Sequence, residues 1–144
     1  MPVPIRATGS SVDLSSRFFQ SKTVAGSPAA AVETIVATLT VSGDVGVVTG
    51  VWLVGFAAFT VGTSGTAVNM RLRQTDTAGT IIAATGATTG GIAAANIVDM
   101  NVAGFDTTVA NSGLNAQVYV LTLTVTGGAA VSTVSAVHLG ALVV

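Results

Sequence analysis

The stretch VGVVTGVWLVGFAAFTVG, from Val45 to Gly62, carries no charged side chain and holds the single tryptophan of the chain, Trp52. Whatever the chain folds into must cover this run. A membrane-spanning helix needs about 20 predominantly apolar residues. The run from Val45 to Val61 falls short of that and is interrupted by Gly46, Thr49, Gly50, Gly55 and Thr60. Valine, threonine and glycine are weak helix formers, and Leu53 is the only leucine in the run. Asp44 precedes it and no Lys or Arg borders it closely, unlike the basic flanks of a spanning segment. The residue types suit a pleated strand instead.

Alternation along such a strand gives Trp52, Val54, Phe56 and Ala58 on one face and Val51, Leu53, Ala57 and Phe59 on the other. Both faces are apolar, so both need covering. One cover is the core of the domain. No helix-period segment lies nearby to supply the other, which leaves a neighbouring subunit. Trp52, Val54, Phe56, Leu53 and Phe59 are therefore the candidate subunit-interface residues, with the choice of face open at this level.

The rest of the chain reads as further strands. Glu33–Gly43 alternates Ile35, Ala37, Leu39 and Val41 with threonines and Val36. A bend or bulge is expected in the long run at Gly50 or Gly55. In AVNMRLRQT, Val68, Met70 and Leu72 share one face, while Asn69, Arg71 and Arg73 share the other. TDTAG is a turn into a short strand, TIIAA, and TGATTGG is a small-residue loop. The segment Ile92–Phe105 fits either a helical turn followed by a strand or a strand throughout. NAQVYVLTLTVTG and VSTVSAVHLGALVV are strands joined by a hairpin at Gly127–Gly128. Several strands between Gly-, Ser- and Thr-rich turns predict an all-β antiparallel sandwich or barrel.

Residues 1–32 show turn chemistry without sustained periodicity and predict an extended N-terminal arm ahead of a sandwich domain over 33–144. The arm carries Arg6, Arg17 and Lys22 against Asp13, and adjacent Phe18 and Phe19 in a polar context. It either packs on its own domain or docks on a neighbouring molecule. In the second case Arg6, Arg17, Phe18, Phe19 and Lys22 are the candidate docking residues.

Charge bounds the function. Only 8% of the 144 residues are charged, against roughly 25% in ordinary globular domains, which points to a subunit with much of its surface covered. The net charge of −1 gives no field to attract nucleic acid. There is no cysteine, so disulfides and thiolate metal sites are excluded. The N-terminus has no apolar core of the kind a secretory signal carries. His138 is the only histidine, and no local motif brings Asp99 or Asp106 to it, so a structural histidine is the expectation. Arg71 and Arg73 suit a phosphate or carboxylate in type, but a solvated or interface strip is the plainer reading. The Gly62–Thr66 and Gly86–Gly91 segments lack the Lys-Ser/Thr of a phosphate-binding loop. No enzyme, cofactor or metal is expected.

The succession VTGVWLVGFAAF, AVNMRLRQTDTAGTII and AQVYVLTLTVTGGAAVSTVSAVHLGALVV resembles small jelly-roll structural proteins of tailed-phage virions over roughly Glu33–Val144. The resemblance lies in an Arg-bearing strand followed by a D-T-A-G turn, and a closing hairpin with a small-residue final strand. It implies a jelly-roll sandwich forming a trimer on the outer capsid surface, made in the host cytoplasm. Such a subunit acts as a decoration, or cement, protein bound to the major capsid protein, with no nucleic-acid or membrane partner. The alternative within the same group is a tail-fibre or spike domain that binds a host glycan.

Overall fold

The run around Trp52 is a strand, Val51–Thr60 (β3), with a hydrogen-bonded neighbour on each side in the computed structural model. Residues 17–29, 31–42, 48–62, 65–93, 95–109, 116–126 and 133–144 are described. The others are Phe18–Ser21 (β1), Thr34–Val41 (β2), Gly65–Gln74 (β4), Ile81–Ile92 (β5), Ile97–Asp106 (β6), Gln117–Thr126 (β7) and Thr133–Val143 (β8). No helix occurs among the described residues.

Pairing follows a nested pattern. β1 pairs with β8, β2 with β7, β3 with β6 and β4 with β5, all antiparallel. This is one long ribbon folded back at the β4–β5 turn. Rolling it up adds two pairings, β3 with β8 and β4 with β7. The result is a first sheet in the order β1-β8-β3-β6 and a second in the order β2-β7-β4-β5. Two four-stranded antiparallel sheets wound from such a ribbon are the jelly-roll sandwich.

The period of two then decides what is inside. From the first sheet, Val51, Leu53, Ala57 and Phe59 of β3 and Val137, Leu139, Ala141 and Val143 of β8 point inward. From the second, Val68, Met70 and Leu72 of β4 meet them with Leu121, Leu123 and Val125 of β7. Leu53 and Phe59 are 0% exposed. They belong to the chain's own core and drop out of the candidate subunit interface.

Two expectations from the sequence change. The irregularity in β3 lies between Ala58 and Phe59 against β8, not at Gly50 or Gly55. The segment after TIIAA does not loop out: β5 continues to Ile92, because small residues without strong strand preference are still carried by the ladder to β4. Residues 97–106 are strand throughout. β1 falls within residues 1–32 and pairs with β8 in the first sheet. There Phe19 packs against the core while Phe18 faces outward and is 47% exposed, one ring on each side of the pleat. The hairpin at Gly127–Gly128 lies outside the described residues.

The D-T-A-G turn is built as its composition demands. Asp76 Oδ1 accepts from the amide of Ala78 at 2.8 Å, and the amide of Gly79 donates to the Asp76 carbonyl at 3.2 Å. A side chain at position 79 would meet the Gln74 carbonyl oxygen at 1.6 Å, so only glycine fits.

Truncating Leu53 to Ala removes three carbons from a fully enclosed site and is expected to cost about 3 kcal/mol. Thr38→Ala, on the exposed face of β2, should change stability by less than about 0.5 kcal/mol. Urea titration of the two variants checks the contrast.

Candidate interaction surface

The two sheets differ sharply on their outward faces. On the second sheet the outward residues of β4 are polar. Arg71 Nη1 donates to Glu33 Oε2 at 2.8 Å, and Arg73 grips the same carboxylate with Nε at 2.7 Å and Nη2 at 2.9 Å. Thr122 Oγ1, beneath on β7, donates to Glu33 Oε1 at 2.6 Å, and Arg73 Nη1 also holds the Gly79 carbonyl at 2.8 Å. The arginine strip thus meets a carboxylate of its own chain. Burial works against the charge on Glu33. The bonds from Arg73 and Thr122, with the two guanidinium charges, outweigh it and hold the carboxyl below its ordinary value of 4.5.

A second polar cluster lies within the fold. Asp106, 2% exposed, ends β6 and points inward. Its Oδ2 accepts from Tyr119 Oη at 3.0 Å and Gln74 Nε2 at 2.6 Å, and its Oδ1 accepts from the Thr108 amide at 2.9 Å and Thr108 Oγ1 at 2.7 Å. Desolvation opposes ionisation here too. The bonds from Thr108, Gln74 and Tyr119 overcome it and keep the carboxyl below its ordinary value of 3.8. Burial, with Asp106 alongside, pushes the Tyr119 hydroxyl far up. Both clusters bond across strands of the same chain and fasten the fold.

The outward face of the first sheet is apolar around Trp52 and turns polar at Asn101 and Asp99. Register places Leu142 of β8, Trp52 of β3 and Phe105 of β6 in one row across the strands, with Phe18 of β1 at the end of it. Gly140, Val54 and Ala103 form the next row, then His138, Phe56 and Asn101, then Ala136, Ala58 and Asp99. Trp52 and Phe105 stack with ring centroids 4.6 Å apart and planes at 29°. Trp52 is 51% exposed and Val54 is 52% exposed. Monomeric proteins rarely leave contiguous apolar areas of this kind uncovered.

Within this face lies a cleft of about 480 Å³, lined by Phe18, Trp52, Val54, His138, Gly140 and Leu142. Gly140 forms its floor: a Cβ there would sit 3.7 Å from both the Phe18 ring and His138 Nε2, in ordinary contact. His138 Nε2 is shielded from solvent and has no hydrogen-bond partner. Asp106 faces the interior, and Asp99 lies a row away across from Ala58, so neither carboxylate forms a pair with this imidazole.

Of the residues singled out in the sequence, Trp52, Val54, Phe56 and Phe18 come together on this face. Phe19 packs against the core, and Lys22 follows β1 and is exposed. Arg17 precedes β1, its carbonyl accepting from the Val143 amide at 2.9 Å. Arg6 lies outside the described residues. Phe105, Leu142 and Gly140 were not marked by the sequence. Their membership follows from register: Phe105 lies 53 positions from its partner Trp52, and Leu142 lies 90 from Trp52 and 124 from Phe18.

No protein-family model matches the chain, and no characterised protein matches it by sequence. Solved structures do resemble it. The VP2 subviral particle of infectious bursal disease virus superposes with a TM-score of 0.57 at 14% identity, over 88% of this chain and 33% of that one. The T13 particle of the same virus gives 0.56 at 12% identity, over 88% and 31%. A Gx-strain structure gives 0.50 at 16%, over 88% and 29%. This chain therefore spans about a third of those capsid chains, and the likeness at such identities is one of fold.

The two lowered carboxyls fix the sign of the acid response. The unfolded chain takes up protons on Glu33 and Asp106 before the folded chain does, so stability falls as pH drops. The loss should begin near the ordinary values of 4.5 and 3.8 and continue to more acid pH. A variant carrying both Glu33→Gln and Asp106→Asn is expected to be less stable at pH 7 and to show a shallower decline between pH 5 and 2. Denaturant midpoints across that range measure it.

Proposed function

We propose that the chain is a structural virion protein: a capsid decoration protein that binds the outer surface of a shell as a homotrimer and stabilises it. The observation that carries this reading is the continuous apolar outer face of the first sheet, centred on Trp52 and Val54. A jelly-roll subunit with one polar and one apolar sheet face is suited to assembly through the apolar one. Trp52, Val54 and Phe56 are then the subunit contacts. The fold likeness to capsid chains of infectious bursal disease virus supports a place in a virion.

The major capsid protein is the partner in this reading. Residues 1–16, with Arg6, together with Arg17 and Lys22, supply a basic docking segment for an acidic shell. Phe19 is committed to the chain's own core, while Phe18 stands half exposed on the outward face. A subunit that binds the assembled shell better than its parts stabilises that shell by mass action. A glycan-binding fibre domain is less well supported. Its sites need convergent polar groups, whereas only His138 and the indole of Trp52 bring polar side-chain atoms to the cleft.

Purified particles that carry the protein should contain it in numbers comparable to the major capsid protein; a handful of copies per particle would favour a fibre instead. Removing residues 1–16 leaves β1 intact, so the shortened chain should fold and keep its oligomeric state while losing shell binding in a co-sedimentation assay. Retained binding would transfer the docking role to the sandwich itself.

A further inference from the structure

We infer that the cleft on the first sheet receives Ile97 from a second copy of this chain, so that copies meet head to tail and close into a ring. The inference rests on the reading of the chain as a self-assembling subunit. It concerns which surfaces meet, and it can fail while shell binding stands.

Two features of one sheet face make the pairing. The cleft lies toward the β1–β8 edge, at the end of β3 that begins with Val51. Ile97 begins β6, the opposite edge strand, and sits across from Thr60 at the other end of β3. Its alternation with inward-packed Val98 puts it on the same outward face as Trp52. At 73% it is the most exposed of the large apolar side chains among the described residues. A twofold pair would engage both contacts at once, whereas the trimer proposed above needs each copy to give one surface and receive the other. Such a contact yields a closed ring when the rotation closes.

Charge selects the same partner. The cleft holds no ionised Asp, Glu, Lys or Arg in its lining, so its occupant must be neutral and apolar. At its His138 end stands Lys22, exposed and one residue beyond the β1 ladder, where Ser21 pairs with Leu139. On the knob, Asp99 is exposed two residues beyond Ile97, about 7 Å along the strand. With Ile97 in the cleft, Asp99 of the incoming copy and Lys22 of the receiving copy carry opposite charges at the same rim. This chain therefore offers a surface that matches its own cleft in both polarity and charge.

The test uses two variants of the full chain, each altered at an exposed position so that the sandwich is undisturbed. Ile97→Asp removes the knob and leaves the cleft; Val54→Arg blocks the cleft and leaves the knob. Circular dichroism and thermal melts check that both fold. Each alone should behave as a monomer in light scattering at concentrations where the parent chain is oligomeric, with association weakened about 30-fold or more, as for a hot-spot residue. Mixed in equal amounts they should form a heterodimer, because one intact knob meets one intact cleft. Lys22→Glu and Asp99→Lys should each weaken the parent oligomer and restore it when combined. A monomeric parent chain, variants that stay oligomeric, or folded variants whose mixture stays monomeric would each overturn the inference. Co-sedimentation of the same variants with shells reports separately on the decoration reading.

Discussion

β3 is hydrogen-bonded along its whole length to β8 on one side and β6 on the other, and that double ladder governs the rest of the molecule. A strand in the middle of a sheet has no freedom to rotate its faces. Once Leu53 and Phe59 are committed to the core, Trp52, Val54 and Phe56 are committed to the outside. The apolar outer face is thus a direct consequence of the interior packing. Replacing outward residues by polar ones would leave the core untouched, so the fold itself gives no reason for a tryptophan and a valine to stand in water there.

The second sheet shows what an uncovered face looks like in the same chain. Its outward positions carry threonines on β2 and the Arg71–Glu33–Arg73 group on β4 and the head of β2. Ionised groups over a sheet keep it soluble and discourage stacking. With so few charges in the sequence, placing three of them together on one face leaves the other nearly bare. The asymmetry between the sheets is therefore the structural form of the low charge content.

The period of two made most of this legible in advance. The faces of β3 and β4 follow from residue order, and so does the all-β class. What stayed hidden was pairing. Glu33 and Arg71 are 38 positions apart, and nothing in either neighbourhood signals the other. Asp106 read as one of several scattered acids until the ladder delivered Tyr119 and Gln74 to it. β5 was shortened because alanine, threonine and glycine declare no preference, and their place in the sheet comes from β4 alongside. Phe18 and Phe19 stand together in the sequence as docking candidates, and the strand they lie on turns one ring to the core and the other outward.

The carboxylate of Glu33 has one more effect. It accepts four hydrogen bonds, from Arg71, twice from Arg73 and from Thr122, and these donors sit on β4 and β7. It therefore ties three adjacent strands of the second sheet together at one point. Sliding β2 along β7 by the two residues needed to keep its faces would carry Glu33 about 7 Å from those donors and break all four bonds in one movement. The small-residue threonine and valine repeats of β2 and β7 would otherwise tolerate such a slip. A single ionised side chain acts as the latch that fixes their alignment.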